Sequence, residues 1–203
     1  MGQAEPNFRA GENTVSIEMT GVEIELARPD WVLPSVPAED VAGHVRTYHD
    51  ENDQGVALFE MIPVSETFET WTRLSAVLSI QQPGSTIASQ EPMLAQAFVL
   101  NCAPSSLSLN KLPPQPGYEG ASYVILCGEF TGTDTGTADG MGEILLAVIL
   151  ENEGGSVRFY EEFRGPAFSL ENEGTWPISE QEITLRLAFM HLSARIGDAQ
   201  DKN

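Results

Sequence analysis

His44, His49, Asp50, Glu51 and Asp53 fall within one short segment, and imidazole nitrogens and carboxylates are the donors that hold zinc or calcium. Their spacing does not suit a metal. No glutamate follows the first histidine and the second is one residue too far for the paired ligands of an HExxH helix. Asp50, Asn52, Gln54 and Gly55 match the opening of a calcium loop, with glycine at its sixth position, but the twelfth position is Met61, where a bidentate glutamate is needed. The segment is expected to be a solvated polar loop, and no metal or cofactor is expected.

Gly132 to Gly140 alternates glycine with Thr133, Asp134, Thr135 and Asp139. It lacks the GK[ST] ending of a phosphate loop, and no helix is expected after it to aim backbone N–H groups at a phosphate, so a hairpin loop is the expectation. For covalent catalysis there is no GxSxG. A hydrolytic site would have to be assembled from dispersed residues such as Cys127, Glu161 and His191, and no catalytic residue is assigned. Cys102 and Cys127 are the only cysteines. They can pair in an oxidising compartment, whereas in a reducing cytosol they are two buried thiols. Trp31, Trp71 and Trp176 lie beside turns and are read as anchors of connectors on the core.

One further constellation carries chemistry. Along residues 157–164 one parity holds Val157, Phe159, Glu161 and Phe163, and the other Arg158, Tyr160, Glu162 and Arg164. Glu161, on the apolar parity, must either sit at the rim of the core or meet a cation. The polar parity aligns two of only ten basic residues beside a tyrosine, and arginine and tyrosine are enriched where proteins bind partners. Arg158, Tyr160, Glu162 and Arg164 are therefore the candidate partner-binding face. The competing reading is a solvated sheet face whose arginines pair with acids on neighbouring strands.

These side chains must be positioned by a framework that the patterning outlines. Residues 1–13 are polar and without period, a lead-in before a single domain over 14–197, and 198–203 form a polar tail. Val15, Ile17 and Met19, then Val22, Ile24 and Leu26, alternate with polar residues and change parity at Thr20-Gly21, which requires a tight hairpin or a bulged strand. Prolines 29, 34 and 37 impose an extended connector. Further strands are expected at Gly55–Ile62, Leu74–Ile80, Ser122–Phe130, Glu143–Leu150 and Val157–Phe163, with a helical turn at Ser65–Trp71 and no assignment for Val41–His49. Ser89–Cys102 has helical spacing, with Pro92 suited to its first turn, and the proline-rich stretch after it reads as a loop. A second helix is announced by the capping-box spacing of Ser179 and Glu182, with Gly197 as its stop. The sum is an α+β fold, a mostly antiparallel sheet of about six or seven strands with two main helices around one sheet.

Thirty acids against ten basic residues in 203 leave a formal net charge of −20. Such a field repels polyanions, so neither nucleic acid nor an anionic membrane is an expected partner. No apolar run is long enough for a spanning helix, and no basic-then-apolar leader opens the chain. The expected compartment is the cytoplasm, or the periplasm if an export signal has been removed.

Gly21 to Leu26 followed by Pro29-Asp30-Trp31 resembles the opening strand and tryptophan of the PsbP/Mog1-like proteins, a group that includes bacterial DcrB-like envelope proteins. Phe59 to Pro63 and Phe68 to Thr72 are similar to a segment of small uncharacterised bacterial proteins. The resemblance implies an antiparallel sheet flanked by helices and a non-enzymatic accessory role. It carries over no catalytic residue, and the missing leader departs from the envelope members. The expected function is that of a soluble, non-catalytic binding protein engaging a protein partner or small ligand, with a small hydrolytic enzyme as the alternative.

Overall fold

The computed structural model describes residues 8–114, 117–131 and 140–198. The glycine-rich segment from Gly132 lies, except for Gly140, outside the described residues, as do most of the lead-in and of the tail. In chain order the strands are β1 (Arg9–Ala10), β2 (Thr14–Met19), β3 (Val22–Ala27), β4 (Val45–Glu51), β5 (Val56–Pro63) and β6 (Arg73–Ile80). Helix α1 (Ile87–Asn101) precedes β7 (Leu107–Lys111), β8 (Gly120–Cys127), β9 (Met141–Asn152) and β10 (Gly155–Pro166), and α2 (Glu180–Ser193) leads into β11 (Arg195–Asp198). The fold is α+β and its strand pairings are antiparallel.

The strands form two sheets rather than the single one expected, a four-stranded β1-β2-β3-β11 and a seven-stranded β4-β5-β6-β10-β9-β8-β7. Patterning marks strands but not which ones share hydrogen bonds, so one sheet was the simplest sum of parts. Thr20 and Gly21, with φ of 52° and 76°, make the tight turn of a β2–β3 hairpin. Met19 then faces Val22, so odd residues of β2 oppose even residues of β3, and the parity change is the hairpin itself.

Both faces of the large sheet are covered, but unequally. One face packs Phe59, Val77, Val148 and Phe159 against Val15, Ile17, Ile24 and Leu26 of the small sheet and against Ile183, Leu187 and Met190 of α2. On the other, Leu94 and Phe98 of α1 lie on Ile125, Leu145 and Ile149, while Trp71 closes over Ile62, Leu74 and Ala76. Between these two patches run the even residues of β10.

Several local expectations are corrected. Pro92 is the sixth residue of α1, not in its first turn; Thr86 caps the helix, its side chain accepting from the Ser89 N–H. Residues 65–71 form turns without a helix. The polar segment around His49 is strand β4 at the sheet edge, where its backbone pairs with β5, rather than a loop. The stretch after α1 contains strand β7, whose Leu107 and Leu109 pair with Cys127 and Ile125. Helix α2 starts as expected, with Ser179 and Glu182 exchanging capping bonds. It stops at Ala194, which turns to extended geometry, and Gly197 lies inside β11, paired to Glu23. Arg9 and Ala10 of the lead-in likewise pair with Ser16 and Val15.

Candidate functional site

The stripe Arg158, Tyr160, Glu162 and Arg164 is half-buried on a central strand and is not an open docking face. Helix α1 flanks it on one side and Trp71 on the other. Arg164 is engaged within the chain. It donates from Nε to Oε2 of Glu143 at 2.5 Å, its cross-strand neighbour on β9, and its guanidinium carbon lies 3.7 Å from the centroid of the Trp71 ring. That is the alternative in which the arginine pairs with an acid on the next strand. Tyr160 donates to Glu60 at 3.4 Å, and burial holds its phenol well above the ordinary range. Burial, reinforced by Glu143, likewise pushes Glu162 well above the usual carboxylate range. Arg158 lies over the Tyr160 ring at 5.5 Å, and its buried Nε has no hydrogen-bond partner among the described residues.

The residues from which a hydrolytic site would be assembled are at three separate places. Cys127 is disulfide-bonded to Cys102, with a Cα separation of 5.7 Å, so neither is a buried thiol. The bridge joins the C-cap of α1 to the end of β8. Glu161 points to the opposite face of β10, where both of its oxygens accept from Arg186 of α2, Nε to Oε2 at 2.8 Å and Nη2 to Oε1. The cation, not the rim, is what accommodates this carboxylate. Arg186 was available to sequence inspection, because it stands three residues after Ile183 and shares the buried side of the helix.

His191 is on α2, its Nε2 2.6 Å from Oγ of Ser122 and its ring 4.6 Å from that of Tyr118. Desolvation lowers its pKa, which keeps the imidazole neutral near neutral pH. Among the described residues no group of three or more His, Cys, Asp or Glu gathers as a metal site. Of the tryptophans, Trp71 is buried and Trp31 and Trp176 pack against the main core, as connector anchors should.

Sequence inspection missed a cavity of about 670 Å³ beneath α2. Helix α2 packs on β3 and β9. It therefore stands away from the β8–β7 edge, and the gap is the cavity. Val124 and Leu126 of β8 form one wall, Ile183, Leu187 and Leu192 of α2 the other, and Trp176 adds an aromatic surface. Among the described residues, Asn110, Glu180, Thr184 and His191 are its polar groups, and no lysine or arginine lines it. Leu192 is 72 % exposed. The missed signal was local: Leu107 and Leu109 alternate with Ser108 and Asn110, the mark of an added edge strand.

No protein-family model matches the chain, and no curated protein is significantly similar to it.

Proposed function

We propose that this chain is a non-catalytic binding protein whose ligand is a small, largely apolar molecule held between α2 and the β7–β8 edge. The observation that carries this reading is the cavity itself. Its volume of about 670 Å³ falls within the roughly 300–1,000 Å³ of small-molecule sites, and an apolar lining with few polar groups is their usual chemistry. With Glu180 as the one acidic residue of the lining among the described residues and a net charge of −20, the site favours a neutral or cationic ligand over a fatty-acid anion. The likeness of residues 21–31 to PsbP/Mog1-like proteins supports the same accessory role.

The same field disfavours nucleic acid and anionic lipid as partners. Among the described residues no helix is long and apolar enough to cross a membrane. The disulfide supports an oxidising compartment such as the periplasm rather than the cytosol, where thiols are kept reduced.

The test is titration with N-phenyl-1-naphthylamine, a neutral fluorescent probe, against the anionic probe 8-anilinonaphthalene-1-sulfonate. Saturable fluorescence with the neutral probe, lost in Ala188→Trp, is the expected result; Ala188 lines the cavity but is exposed, so the fold tolerates the larger ring. Unchanged probe binding in that variant excludes the cavity as the site.

A further inference from the structure

On the opposite face of the large sheet, a cleft of about 120 Å³ separates α1 from β10. Its walls are Leu94 and Phe98 of α1 and Leu145 of β9, all buried, and Met93 and Ala97 stand exposed at its rim. Its polar groups are Arg158, Tyr160 and Glu162. The groups nearby are already engaged: Arg164 holds Glu143, and the phenol of Tyr160 donates to Glu60. Arg158 and Glu162 are left over. Neither makes an ion pair among the described residues, with each other or with a third group. Four residues apart on one strand, their backbones are separated by about 13 Å. Arg158 nevertheless lies over the ring of Tyr160, the residue between them.

A half-buried guanidinium without an ion pair is costly where water is partly excluded, and a carboxyl whose proton is retained by burial gives that proton up once a cation meets it. A molecule carrying both signs would satisfy both. We infer that this cleft binds a free α-amino acid with an apolar side chain, its carboxylate on Arg158, its ammonium on Glu162 and its side chain against Leu94, Phe98 and Leu145. A simple anion leaves Glu162 without a partner, and a simple cation is repelled by Arg158. Guanidinium suits the role because its planar fork donates two parallel hydrogen bonds to a carboxylate. The small volume excludes the larger ligand proposed for the cavity under α2, so the two sites are independent.

The experiment uses the full chain and L-leucine, followed by NMR at the Met93 methyl and the Arg158 to Glu162 amides, with the Ala188 methyl reporting on the other cavity. Saturable shifts at the first set and none at Ala188 are expected. Isocaproate, which lacks the ammonium, and leucinamide, which lacks the carboxylate, should each bind about tenfold more weakly or worse, because each leaves one of the two side chains without its partner. Arg158→Gln should weaken L-leucine by about the same factor. If that variant does not fold, Ala97→Trp, at an exposed rim position, closes the cleft and must abolish the shifts. No saturable binding of L-leucine to the folded native chain overturns the inference. So does binding that survives Ala97→Trp, or that treats the three compounds alike.

Discussion

Arg186 of α2 closes on both carboxylate oxygens of Glu161 in β10, with side chains only 12 % and 5 % exposed. The same guanidinium donates to the carbonyl of Arg28 at 3.1 Å, whose own guanidinium donates to the carbonyls of Glu12, Leu33 and Val36. A helix, a central strand and the proline-rich connector are thus tied at one point.

Removing one partner leaves a buried charge unmatched. Arg186→Met should lower the unfolding free energy by about 3–5 kcal/mol, read by urea denaturation. The double variant Glu161→Leu, Arg186→Met should recover most of that loss, because it removes both charges. A single variant as stable as the native chain contradicts the account.

The disulfide closes a loop with a sequence separation of 25, for which the chain-entropy model gives about 3.5 kcal/mol. Cys102→Ala, Cys127→Ala should be less stable by that order, and dithiothreitol should lower the melting temperature of the native chain but not of the variant. Two titratable thiols in the folded, unreduced protein would show that the bridge is absent.

Stability should also depend on pH in two opposite limbs. Burial raises the pKa of Glu162 well above, and that of Glu60 above, the usual 4.5, so the folded state binds their protons more readily than the unfolded one. Their contribution is present below the unfolded value and is lost as pH rises through the raised one. Glu182, lowered by the Ser179 cap, works the other way: its contribution is present above 4.5 and is lost as pH falls. The melting temperature should therefore climb as pH falls from neutral toward about 5 and drop again below about 4. Glu162→Gln should flatten the upper limb. A melting temperature that falls steadily from neutral pH downward sinks this assignment.

What could be read from residues alone was whatever short-range physics settles. The alternation through Val15 to Leu26 with Thr20-Gly21 at its centre narrows the choice to a tight hairpin or a bulged strand, and the left-handed backbone of both turn residues decides for the hairpin. Ser179 and Glu182 start α2 because their hydrogen bonds span three residues. Strands β5, β6, β8, β9 and β10 follow from apolar runs between turn residues for the same reason.

Tertiary structure alone decided what depends on residues distant in the chain. That Cys102 meets Cys127, that Glu161 meets Arg186 and that Arg164 meets Glu143 are outcomes of how sheets and helices stack. The stripe on β10 has the same pattern whether it faces water or lies between α1 and Trp71, since period-two alternation fixes which residues share a face and not what covers that face. The cavity under α2 is likewise a gap between elements, created because the helix leans on β3 and β9, and no single segment of sequence contains it.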